Sequence, residues 1–168
     1  MLTLDEERYL QGLPPEESNR IIHIQPYNPA IEGIAKAIMQ KLRQRLPADT
    51  DIRFMGASAL GISGQNDIDI YVLVPDSEHS VYLAKLETIL GKQVNHKWSW
   101  DEQGYEVSVY LADPASPSQK RQLDMHAALQ NSPELLHEYE QLKSAMNGKT
   151  YIEYQTAKYE FYNKVLGS

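Results

Sequence analysis

Residues 51–74 read DIRFMGASALGISGQNDIDIYVLV, and three patterns follow one another there. A short apolar run, Ile52-Arg53-Phe54-Met55, gives way to a small-residue loop, Gly56-Ala57-Ser58 continuing through Gly61 and Gly64, and then to a run that opens with two carboxylates. In that last run Ile68, Ile70, Val72 and Val74 alternate with Asp67, Asp69, Tyr71 and Leu73, the two-residue period of a strand with one buried face. The period sends Asp67 and Asp69 to the same side. Two acids so close repel unless a cation or a shared proton lies between them, and carboxylate oxygens are the ligands that hard Mg²⁺ prefers. Glycines at 56, 61 and 64 let the backbone turn tightly and offer N–H groups to an anion, and the Ser58 hydroxyl adds a donor. A phosphate cradle followed by a divalent-metal pair is what binding a metal–nucleoside triphosphate requires. The bland reading of the same residues is a Gly/Ser turn between two strands, with aspartates that only blunt a sheet end. The ordered combination favours a site, because isolated carboxylates on a half-buried strand are costly without a partner.

The flanking chain builds a scaffold around this stretch. Thr3 followed by Glu6 has the form of a capping box, and Pro14-Pro15 stops any helix near Gly12. Ile21 to Ile24 reads as a small apolar strand or extended segment, followed by a proline-bounded turn at Gln25-Pro26-Tyr27-Asn28-Pro29. From Ala30 to Leu46 the apolar residues recur at three- and four-residue spacing, which predicts an amphipathic helix ended by Pro47. After the two-carboxylate strand, Val81, Leu83, Ala84, Leu86, Ile89 and Leu90 predict a helix closed by Gly91. Residues 93–100 form a weaker strand, and the turn at 101–104 joins it to a strand over 105–111. There Glu106, Ser108 and Tyr110 share one face and Val107, Val109 and Leu111 the other. Glu106 is thus the candidate third metal ligand, though a solvent-facing edge glutamate fits the same position. Beyond Asp113-Pro114 the pattern is helical: residues 119–130, a helix opened by Ser132-Pro133-Glu134 and stopped near Gly148, and a last helix over 150–166.

Composition narrows the function. With 168 residues, 42% hydrophobic and 23% charged, the chain can bury one sizeable core and is not disordered as a whole. We expect a short arm over 1–20 and a single domain over 21–168. A formal charge of −7 argues against generic nucleic-acid binding, which shows as a basic stripe. There is no cysteine, no apolar leader near Met1 and no run long enough to span a bilayer, so the expectation is a cytoplasmic protein that does not bind membranes. The absence of a Walker loop, a Gly-x-Ser-x-Gly elbow and a His-Glu-x-x-His disfavours P-loop kinases, esterases and zincins.

Gly56-Ala57-Ser58, the eight residues that follow, and Asp67-Ile68-Asp69 resemble the signature of the nucleotidyltransferase superfamily, in which a Gly-Ser loop precedes an Asp-x-Asp strand and a later strand supplies a third carboxylate. When residues 24–29, 56–61, 139–143 (Tyr-Glu-Gln-Leu-Lys) and 154–161 (Tyr-Gln-Thr-Ala-Lys-Tyr-Glu-Phe) are added, the chain resembles the GrpB family, a branch of that superfamily, over roughly residues 21 to 167. Two positions depart from the family pattern. Asp67 stands where many relatives carry an aliphatic residue, and Glu106 lies in a strand where relatives often carry histidines.

The resemblance implies an α/β (α+β) fold, a small mixed β-sheet flanked by helices with a C-terminal helical cap. It implies transfer of a nucleotidyl group from a nucleoside triphosphate to a small-molecule acceptor with Mg²⁺ or Mn²⁺. Asp67, Asp69 and Glu106 would then be the catalytic, metal-holding carboxylates. Gly56, Ala57 and Ser58 would hold the phosphates, and Lys143 and Lys158, in the GrpB-like helical motifs, would reach them; both lysines also fit a solvated helix face. Two other functions stay open: a non-catalytic nucleotide- or phosphometabolite-binding protein of the same fold, and an antitoxin-like interaction module.

Overall fold

A computed structural model of the protein describes residues 1–167. In chain order the elements are α1 (Leu4–Gln11), α2 (Pro15–Ser18), α3 (Ala30–Arg43), β1 (Asp51–Met55), α4 (Ala57–Leu60), β2 (Ile68–Leu73), α5 (His79–Leu90), β3 (Lys97–Glu102), β4 (Tyr105–Ala112), α6 (Pro117–Asn131), α7 (Pro133–Ala145) and α8 (Tyr151–Leu166), with a single 3₁₀ turn at Asp76–Glu78 before α5. The fold is mixed α/β, as expected. Its described residues divide into two compact units, one of residues 27–62 and 66–123, the other of residues 1–26, 63–65 and 124–167. Among the described residues no helix is long and apolar enough to cross a membrane.

The first unit holds a four-stranded sheet in the order β1-β2-β4-β3. β2 runs parallel to β4, and both outer strands are antiparallel to their neighbours. The alternation in the sequence now has a physical meaning. Ile68, Ile70 and Val72 of β2 and Val107, Val109 and Leu111 of β4 are all at most 4% exposed and form one apolar face. The buried stripe of α3, Ile31, Ile34, Ala35, Ile38 and Leu42, and Tyr82 and Leu86 of α5 pack on that face. Of the apolar residues that predict α5, Leu83, Leu86, Ile89 and Leu90 do face the core, while Val81 and Ala84 do not. Val81 is exposed, and the buried positions are His79, Tyr82 and Leu86, because Tyr82 turns inward with its hydroxyl against Thr50. The turn between β3 and β4 is tighter than its four residues imply. Gln103 and Gly104 alone make it, both with positive φ, the backbone that a two-residue hairpin of matching twist demands.

The second unit is helical. The Thr3 side chain accepts from the Glu6 N–H while Glu6 reaches back to the Thr3 N–H, and Thr150 and Glu153 repeat this capping box at the start of α8. Ser132 caps α7 with Pro133 at its first position. The segment at residues 21–24 is extended but is no strand. Ile22 exchanges hydrogen bonds with Gly148 and Lys149, and Ile21 makes a single bridge to Thr150. The aromatic stripe of α8 serves this unit's interior: Phe161 stacks on Tyr139 of α7 at 5.2 Å, and the Tyr162 ring lies tilted to Tyr139 at 6.1 Å.

Candidate functional site

The sheet unit contains Gly56, Ala57, Ser58, Asp67, Asp69 and Glu106; Lys143 and Lys158 belong to the helical unit. β1 ends at Met55, and its antiparallel register sets Met55 opposite Asp69, so the loop that leaves β1 starts beside the second aspartate. Gly56 has φ 88° and ψ −172°, a backbone that side-chain-bearing residues essentially never adopt. A Cβ there would lie 3.4 Å from Asp69 Oδ2, so the bare backbone of the turn faces a carboxylate oxygen. The single helical turn α4 follows and ends at Gly61, which is left-handed (φ 69°).

Ser58 has a defined task inside the loop. It is 4% exposed, and its hydroxyl donates to the Asp67 carbonyl at 2.7 Å, which clamps the loop to the residue that leads into β2. Asp67 itself is half-buried and sits one residue before the strand, after Asn66 with φ 57°. Asp69 is inside β2. Its Oδ1 accepts from the Tyr110 hydroxyl at 3.3 Å. Burial, and after it the neighbouring Asp69 and Tyr71, push the Tyr110 pKa far above the ordinary phenol value, so this hydroxyl keeps its proton and stays a donor.

The parallel register sets Asp69 opposite Ser108 and Tyr71 opposite Tyr110. Ser108, 3% exposed, is within hydrogen-bond distance of Ser99 on β3 (3.1 Å), and the rings of Tyr71 and Tyr110 stack at 4.6 Å. Lys97, opposite Tyr110 on β3, holds its ammonium 5.2 Å from that ring. Glu106 stands on the same face of β4, two residues before Ser108, but it is exposed and pairs with Asp101 near the hairpin end. Thus Asp69 meets a serine and a tyrosine across the strand pair. Among the described residues no three His, Cys, Asp or Glu side chains cluster so as to hold a metal ion. Two aspartates remain a fitting donor set for Mg²⁺, which takes one or two protein carboxylates and completes its shell with substrate phosphates and water.

The residues that the sequence reading missed here are Tyr71, Tyr110 and Ser108. Alternation along β4 already puts Ser108 and Tyr110 on the face of Glu106, but only the β2–β4 register shows which of them meets Asp69.

In the helical unit Lys143 is 5% exposed. Its Nζ donates to the Tyr154 hydroxyl at 2.5 Å and lies 5.0 Å and 5.1 Å from the ring centres of Tyr139 and Tyr154. It is a cation inside a tyrosine cage. Lys158 is half-buried, with its ammonium 5.5 Å from the Tyr162 ring.

The GrpB protein family model matches residues 21–168. The chain is similar in structure to the conserved protein GrpB from Enterococcus faecalis, with a TM-score of 0.53 at 17% identity, covering 85% of this chain and 99% of that one. At that identity the likeness is one of fold. No curated protein matches the chain. Because the family model spans everything after the first twenty residues, including the loop, both aspartates and the two helical motifs, the chain belongs to the GrpB family.

Proposed function

We propose that the sheet unit binds a metal–nucleoside triphosphate at the corner where the Gly56 loop meets β2. The observation that carries this reading is the bare backbone of Gly56 held against the Asp69 carboxylate, which offers peptide N–H groups to phosphate oxygens beside an acceptor for a cation. A divalent ion, Mg²⁺ or Mn²⁺, would neutralise charge on the phosphates when bound. Asp67 and Asp69 would hold it. Tyr110 supports that task by fixing one Asp69 oxygen, and Ser58 fixes the backbone at Asp67. In this reading Ser58 shapes the loop and the peptide N–H groups of residues 56–58 face the phosphates.

Transfer of the nucleotidyl group to a small-molecule acceptor is the second reading. It is favoured by Glu106 sharing the face of β4 with the residue opposite Asp69, a position from which a third carboxylate would serve. Binding ranks first because the residue directly across from Asp69 is Ser108.

Isothermal titration of Mg²⁺–ATP is expected to show saturable binding that EDTA abolishes and that Asp69→Asn weakens at least tenfold, about 1.4 kcal/mol. The substitution keeps the shape and removes the charge, so the melting temperature in metal-free buffer should hold or rise as the repulsion from Asp67 is relieved. A large fall in melting temperature would make Asp69 a structural residue. Release of pyrophosphate in the presence of candidate acceptors decides between transfer and binding.

A further inference from the structure

On the apolar face of the sheet the cover thins at the edge strand β3, where Trp98 is buried and Trp100 only half-buried. Between α3, the last turn of α5 and the edge strand β3, all within the sheet unit, lies a cleft of about 500 Å³. That volume is in the range that takes a small organic ligand. Its apolar lining is the buried Ile34, Ile38 and Trp98 and the half-buried Trp100, Ile89 and Leu90. Both indole N–H groups are already used inside the protein, Trp98 on the Gly91 carbonyl at 2.8 Å and Trp100 on Glu102 at 3.1 Å. What Trp100 presents to the cleft is therefore hydrocarbon.

The charges of the lining are Lys41 on α3, Lys92 just after α5, and Glu102. Glu102 is engaged with Trp100, and neither lysine has an ion-pair or hydrogen-bond partner among the described residues. Two exposed ammonium groups thus flank an apolar cleft in a chain whose net charge is −7. One positive charge is left in excess over Glu102. We propose that this cleft is a binding site for a small amphipathic carboxylate, its hydrocarbon body on the half-buried Trp100, Ile89 and Leu90 and its head on Lys41 and Lys92. A single negative charge matches the excess, whereas a phosphomonoester would bring about 1.5 to 2 charges at neutral pH. Burying the hydrocarbon supplies the attraction, and the lysines select for the anionic head. The site stands apart from the nucleotide reading, since Trp98 and Asp69 lie on opposite faces of the sheet by their register positions.

The chain carries only two tryptophans, and both line the cleft, so their fluorescence responds to its occupation. Titration of the full chain with sodium decanoate below its micelle concentration should give a saturable change in tryptophan emission. Decanol, which has the same chain without the charge, should bind at least tenfold more weakly. The double variant Lys41→Gln/Lys92→Gln, at exposed positions, should lose tenfold or more for decanoate and little for decanol. Ala37→Glu, an exposed site on the lining, should weaken decanoate as well and serves as an independent variant. A wild-type titration without saturation, decanol binding as tightly as decanoate, or a double variant that binds decanoate like wild type would each overturn the proposal.

Discussion

Trp98→Ala is expected to cost about 3–5 kcal/mol, the range for emptying an aromatic position in a packed core. Trp98 is 2% exposed, points into the apolar face opposite Val109, and belongs to the cluster that α3 and α5 cover. Its indole also donates to the carbonyl of Gly91, the residue that ends α5, and so ties that helix end to the edge strand. Alanine removes the ring and this tie together, and among the described residues no further strand pairs with the outer side of β3 to hold it in place. In a chain of this size the loss corresponds to a fall in melting temperature of roughly 6–20 °C. Trp98→Phe, which keeps much of the volume and loses the hydrogen bond, should cost less than half as much. Thermal unfolding followed by circular dichroism checks both. An alanine variant that melts within a degree or two of wild type would show that β3 is not anchored through this ring.

Gly56→Val is expected to abolish Mg²⁺–ATP binding and to destabilise the chain by about 1–3 kcal/mol, the cost of holding a side-chain-bearing residue in a backbone region open only to glycine. The strain arises at φ 88° and ψ −172°, and relief by rotating the backbone moves the loop away from Asp69, whose carboxylate lies 3.4 Å from where the new Cβ would sit. Ser58→Ala acts differently. It removes a hydrogen bond to the Asp67 carbonyl within a buried loop and leaves that acceptor to find another donor, a loss of about 1–3 kcal/mol in stability. Binding should weaken in proportion to how far the loop loosens. The comparison is made by titration calorimetry on both proteins with folding verified by circular dichroism. Wild-type affinity in a folded Gly56→Val protein would make the loop a plain turn.

Local features of this chain were legible because they are governed by neighbours in sequence. The alternation around Ile68, Ile70 and Val72 marks the buried face of β2, and the caps at Thr3 and Ser132 mark the starts of α1 and α7. Non-local pairing was not legible. No sequence period shows that β2 pairs with β4 in parallel or that Ser108 stands opposite Asp69, since the partner strand is some forty residues away and register depends on the whole sheet. The same limit applies to Lys143. Its helix position is readable, but the tyrosines that enclose it come from α7 and α8 together, and only the packing of those helices makes the cage. Ser58 illustrates a third case: a hydroxyl in a glycine loop reads as a ligand donor until the carbonyl of Asp67 is seen to take it.

The most direct test of the nucleotide site is a crystal structure of the protein soaked with Mg²⁺ and a non-hydrolysable ATP analogue. The account predicts the phosphates over the N–H groups of Gly56, Ala57 and Ser58, with the metal bound to Asp67 and Asp69. Triphosphate density anywhere else, or phosphates at the loop with no metal on either aspartate, would contradict it.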